Sequence, residues 1–160
     1  MQWFKANGEH IFWQDICNSI TEMIRNGSEH QIVIGSDSQP NYNKSMFVVA
    51  LCVISDFPGM ERKYYYAKLK HNKYMPFRDR ILQEANLSIE TACSLREHCE
   101  LIDKQANIQI HLDVSSEESK NKTSRMSSSV VNLVKAYNFE DVQIKPNSWA
   151  ASYIADKHSK

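Results

Sequence analysis

The sequence has no excess of either charge: 19 basic residues stand against 19 acidic ones in 160. Bulk electrostatics therefore announce no nucleic-acid or membrane partner, and a polyanion must be met by a local patch. A long hydrophobic run is also missing. The longest, Met46 to Ile54, falls far short of the roughly 20 residues that span a bilayer. No basic-then-apolar leader opens the chain, so a cytoplasmic location without a membrane partner is expected. Cysteine is sparse, and Cys17, Cys52, Cys93 and Cys99 lack CxxC spacing, which favours buried free thiols over a disulfide framework. The six histidines show no paired metal-ligand spacing. With no repeat and no linker, and at 42% hydrophobic, residues 1–160 are expected to form one domain, with 1–30 as an N-terminal helical extension.

What is present is an ordered series of elements. Residues 1–10 read as irregular, with Asn7-Gly8 marking a turn. Phe12, Ile16, Ile20, Met23 and Ile24 share one helical face, and Asn26-Gly27 is a stop signal. Ile32 to Ile34 predicts a buried strand ending in the punctuation Gly35-Ser36-Asp37-Ser38. A turn at 40–43, the apolar strand Met46–Ile54, a turn at 57–59 and a basic, tyrosine-rich edge strand Arg62–Lys70 predict an antiparallel meander. A long helix follows over about Phe77 to Ile102. Asn107 to Val114 alternates as a fourth strand, a serine-rich loop leads into a helix through Met126, Val130, Leu133, Val134 and Tyr137, and Val142–Lys145 is a fifth strand. Pro146-Asn147-Ser148 opens a last helix over about Trp149 to His158. The expected fold is a mixed five-stranded α/β sheet in the order βββαβαβα, flanked by helices and preceded by one more.

Four acids stand out in this order. Asp37 and Asp113 each end a strand, and a right-handed crossover would set those strands parallel, with both acids at one end of the sheet. On the long helix, Glu84 lies about 60° from Ile81, beside the apolar stripe, whereas Glu90 and Glu97 lie nearly opposite it. Asp156, seven residues after Trp149 and three after Tyr153, is expected on the packed face of the last helix. Each acid has a plain alternative: a turn residue for Asp37 and Asp113, a rim charge for Glu84, a partner of Lys157 or Lys145 for Asp156. Together they imply a shared site, because four acids around one point repel and raise one another's pKa unless divalent cations neutralise them. Oxygen ligands alone suit Mg²⁺ or Mn²⁺. His111, two residues before Asp113 on the same strand face, is read as a satisfied histidine.

The motifs IVIGSDSQ (Ile32–Gln39), IHLDVS (Ile110–Ser115) and IKPNSWAASYIADKHS (Ile144–Ser159), with the element order, resemble the ribonuclease H-like superfamily, and within it the YkuK-type family of predicted ribonuclease H-related nucleases. The resemblance implies Asp37, Glu84, Asp113 and Asp156 as the catalytic, metal-binding set. It also implies hydrolysis of nucleic-acid phosphodiester bonds with two ions roughly 3.5–4 Å apart. The chain lacks the histidine-bearing loop before the last helix and the basic protrusion of the hybrid-cleaving enzymes, which leaves RNA, DNA and hybrid open as substrates. Substrate contacts are expected from Ser36 and Ser38 beside Asp37, from Lys70, Lys73 and Arg78 in the basic, aromatic stretch, from Lys120 and Lys122 after Asp113, and from Lys145. The competing function is a nucleic-acid-binding module without turnover. An adhesion-type metal site is set aside, because Asp37-Ser38-Gln39-Pro40-Asn41 lacks the Asp-x-Ser-x-Ser register. No protein partner is evident.

Overall fold

The computed structural model describes residues 1–26, 30–55, 61–99, 101–102, 106–116 and 124–160. Its frame is the expected meander. Strands β3 (His30–Asn41), β4 (Lys44–Ser55) and β5 (Glu61–His71) pair antiparallel along their lengths. Helix α2 (Phe77–His98) crosses over to β6 (Ala106–His111), which pairs parallel with β3 from His30↔Ala106 to Gly35↔His111. After α3 (Ser124–Ala136), β7 (Val142–Gln143) lies parallel to β6. The expected α/β sheet and its order are thus present.

Two further strands extend it. Residues 1–10 are not irregular: β1 (Gln2–Lys5) and β2 (His10–Ile11) form a hairpin, and β1 pairs antiparallel with β5, giving the order β2-β1-β5-β4-β3-β6-β7. Strand β5 is therefore interior and not an edge. Helix α1 (Trp13–Asn26) follows directly, and Phe12, expected on its buried face, stands before it and is 69% exposed. Strand β3 also continues past Asp37, because the ladder with β4 runs on to Asn41↔Lys44 after β6 has stopped at Gly35. Helix α2 ends at His98, short of Ile102. The turn at 57–59 and most of the serine-rich loop lie outside the described residues.

Alternation along the strands sorts side chains onto two faces. On one, Ile32, Ile34, Phe47, Val49, Leu51 and Tyr65 pack under α1, α2 and α3 in the main core. On the other, Val33, Val48, Ala50, Cys52 and Tyr66 pack against the C-terminal segment through Ala150, Ile154 and Ala155. That segment begins as a π-helix, Ala150–Ala155, and continues as α4 (Asp156–Ser159). Its wider turns break the 3.6-residue phase expected of it, so Tyr153 is 72% exposed and does not mark a packed face. The segment lies so close to β3 that a Cβ at Gly35 would fall 2.6 Å from the Ala151 backbone nitrogen. Gly35 is the position that lets the last helix sit down on the central strand.

Candidate metal centre

The four predicted acids come from β3, α2, the segment after β6 and α4, and Asp37 feels the charges of Asp113 and Asp156, as Glu84 feels those of Asp37 and Asp113. Asp37 is two residues past the end of that ladder, on the face covered by the C-terminal segment, and its Oδ2 accepts a 2.6 Å hydrogen bond from Ser159. Glu84 reaches in from the α2 layer and is 6% exposed, while Glu90 and Glu97 face solvent. The 100° spacing therefore separated the inward acid from the outward ones. Asp113 is half-buried, bonded by Ser152 Oγ at 2.7 Å and paired with Lys145 Nζ at 3.0 Å. Asp156 is half-buried and paired with Lys160 at 2.6 Å.

Two of the acids, Asp37 and Glu84, are perturbed by burial and by neighbouring acids. Burial raises the Asp37 pKa, the negative charges of Asp113 and Asp156 add to it, and the Ser159 hydrogen bond works the other way. Glu84 is pushed up to about 8, first by burial and then by Asp37 and Asp113, against the opposing effects of Ser38 and Arg80. A cavity of about 10 Å³ is lined by both Glu84 and Asp113, with Ser36, Ser88 and His111. That is room for about one water. Asp37 and Glu84 thus each feel neighbouring acids, and Glu84 and Asp113 share one void.

Around them stand side chains that hold the acids and their elements in place. Ser38, on the opposite sheet face from Asp37, donates to Glu84 Oε1 at 2.6 Å, and Arg80 Nη1 donates to the Ser38 carbonyl and Oγ at 3.0 and 3.1 Å. Ser36 hydrogen-bonds Ser88 at 2.8 Å. Ser36 and Ser38 are buried against α2, so they hold that helix and its acid and do not face a substrate. His111 is fully buried, and its pKa is lowered to about 4 by burial. Its Nδ1 accepts from Ala150 N–H at 3.1 Å, which leaves Nε2–H to donate to Gln109 at 2.6 Å; Gln109 in turn donates to Asp141. This relay ties the sheet edge to the start of the C-terminal segment. His111 is the satisfied core histidine expected of it.

Among the other predicted contacts, Lys70, Lys73 and Arg78 are exposed, and Lys145 is held by Asp113. Lys120 and Lys122 lie outside the described residues. A separate cavity of about 430 Å³, between Trp149, Ile154, Tyr64 and Arg62, is lined by none of the four acids.

The donor chemistry suits a hard cation: the acids offer oxygen only, and their repulsion favours positive charge among them. Lys145 and Lys160 already place ammonium groups on Asp113 and Asp156. In this arrangement no three acids, histidines or cysteines among the described residues are drawn close enough to grip one ion. Binding would therefore require these side chains to turn toward each other and the lysines to yield.

Among solved structures, the chain resembles RNase H1 from the halophilic archaeon Halobacterium salinarum at 11% identity and a TM-score of 0.40, covering 79% of this chain and 96% of that one. It also resembles the protease-reverse transcriptase of prototype foamy virus at 9% identity and a TM-score of 0.42, covering 82% of this chain but only 21% of that one. No curated protein matches the sequence. Among the described residues, no helix is long and apolar enough to cross a membrane. The sequence profile of the Ribonuclease H-like family matches residues 14–160, and the chain belongs to that family.

Proposed function

We propose that this protein is a metal-dependent nuclease of the YkuK type, a single cytoplasmic domain whose acids Asp37, Glu84, Asp113 and Asp156 bind Mg²⁺ or Mn²⁺ and direct hydrolysis of nucleic-acid phosphodiester bonds. The observation that carries it is the burial of Glu84, 6% exposed, in the field of Asp37 and Asp113. A carboxyl group with a pKa near 8 and like-charged neighbours is costly to keep unless a cation compensates it. When bound, the ions would activate the attacking water and stabilise the leaving oxygen.

The chain's own groups set up that chemistry. Asp37, influenced by both Asp113 and Asp156, would hold the ions together with Glu84, which is oriented by Ser38, itself fixed by Arg80. Ser159 holds Asp37, so the last turn of α4 acts as a positioning element. Lys145 and Lys160 stabilise Asp113 and Asp156 while no ion is present and, once displaced, become available to phosphate oxygens. The ion pairs of those same two lysines favour a second reading: a nucleic-acid-binding module whose acids are neutralised internally and never turn over substrate.

Cleavage of labelled RNA, DNA and hybrid with Mg²⁺ and with Mn²⁺ separates the two. The nuclease reading expects metal-dependent cleavage that Glu84→Gln largely removes. Glu90→Gln, exposed on the same helix, keeps wild-type activity and a stability within about 0.5 kcal/mol. Absence of cleavage by folded wild type on every substrate, with salt-sensitive binding retained, would move the assignment to the binding module.

A further inference from the structure

We propose that the face formed by β5 and the β1–β2 hairpin is a platform for unpaired nucleic acid, which delivers a single strand to the acids. This rests on the nuclease reading only for where the strand leads. Alternation places Arg62, Tyr64, Tyr66, Lys68 and Lys70, every one basic or aromatic, on the face of β5 shared with Asp37; Tyr66 is buried and Tyr64 half-buried there, while the three cations are exposed. Lysines at such positions commonly protect an exposed sheet edge. At Tyr66 and Lys68 that explanation fails, because β1 pairs with β5 from Tyr65 to Lys68.

The hairpin then continues the aromatic surface outward. The His158 ring stacks on Tyr66 at 3.7 Å, Tyr66 stacks on Phe4 at 5.4 Å, Phe4 meets His10 edge-on at 6.1 Å, and His10 meets Phe12 edge-on at 4.9 Å. Tyr66 is buried and Phe4 half-buried, His10 is exposed and Phe12 is 69% exposed. A large apolar side chain left in water at the end of a file of packed rings is suited to receive a base. Lys68 is exposed and holds its ammonium 5.9 Å from the Tyr66 ring centre, where it can meet a phosphate. Stacking rings flanked by cations suit a single strand, whose base faces are free, and offer a duplex little beyond its phosphates.

The register fixes the relation to the acids. Asp37, Val48 and Lys68 are opposite one another on consecutive strands, so Lys68 is about 10 Å from Asp37 along the sheet. Val48 between them is covered by the C-terminal segment, so a strand whose phosphate is held at Lys68 reaches the acid cluster a few nucleotides further on by passing over that segment.

The test is fluorescence anisotropy with 12-nucleotide single-stranded RNA and DNA and a 12-base-pair duplex, in EDTA so that nothing is cut. Wild type should bind the single strands more tightly than the duplex. Phe12→Ala should lose about ten-fold on the single strands, the effect of one stacked base, with Tm unchanged, and Phe12→Trp should restore binding. Lys68→Ala should lower the salt slope by about 0.7, one phosphate contact. Tyr137→Ala, at an exposed aromatic at the end of α3, should bind as wild type. Asp37→Asn should still bind while losing any cleavage, so the two readings fail separately. Loss of binding in Phe12→Ala in a protein that never cleaves would overturn only the nuclease reading. Wild-type binding by Phe12→Ala, or equal affinity for duplex and single strand, would overturn the platform.

Discussion

Replacing Glu84 with Gln should flatten the pH dependence of stability in the metal-free protein. The Glu84 carboxyl titrates near 4.5 in its ordinary state and near 8 in the fold. An acid with a raised folded pKa leaves stability intact below its ordinary value, and stability falls as pH climbs toward the folded value. Across that window of about 3.5 pH units the loss has a ceiling of about 5 kcal/mol, at about 1.4 kcal/mol per unit. Gln keeps the shape and an oxygen for Ser38 to donate to, but it carries no charge. Its new amide group is buried and costs about 1–3 kcal/mol if it finds no partner, at every pH alike. The diagnostic quantity is therefore the slope. Urea unfolding in EDTA at pH 5, 6, 7 and 8 should show wild type losing a few kcal/mol toward pH 8 and the mutant losing much less. Parallel curves would refute the claim that Glu84 is held in an unfavourable electrostatic position.

Three other outcomes follow from the same contacts. Gly35→Ala should destabilise by about 1–3 kcal/mol, as overpacking against fixed backbone does, because its Cβ would lie 2.6 Å from the Ala151 nitrogen; a thermal melt reads this, and an unchanged Tm would show that the last helix shifts freely. His111→Gln should flatten the acid limb: the His111 pKa is lowered to about 4, so its contribution is present above about 6.5 and lost as pH falls. An unchanged acid limb in unfolding at pH 4.5 and 7 would contradict the buried neutral relay. Added Mn²⁺ should raise the Tm of wild type, and it should leave Asp37→Asn unmoved.

Much of the fold was legible because it rests on periodicity. The apolar run Met46–Ile54 reads as a central strand and is one, and the 100° spacing on α2 distinguished Glu84 from Glu90. What stayed hidden depends on contacts distant in sequence. Strands of four and two residues carry too little pattern to declare themselves, so β1 and β2 appear only once β5 gives them a partner. Gly35-Ser36-Asp37-Ser38 resembles punctuation because these residues disfavour strands, yet the β4 ladder carries them through as strand. The relation of Asp37 to its strand was therefore legible only in part: it sits at the end of the parallel pairing, not of the strand.

The site shows the same division. Motif and helix phase point to four acids, whereas nothing local marks Ser159, Ser152, Lys160 and Arg80, since serines and surface cations near a helix end have no distinguishing pattern. The π-helical turns of Ala150–Ala155 likewise follow from how the segment settles on Gly35, and no 3.6-residue phase foretells them.

The central claim, that these acids form one cation site, is tested most directly by anomalous diffraction from crystals soaked in Mn²⁺. Anomalous density bounded by Asp37, Glu84, Asp113 and Asp156 is expected, with Lys145 and Lys160 turned away from Asp113 and Asp156. Well-ordered acids without anomalous density between them, and with both lysine pairs still in place, would contradict it.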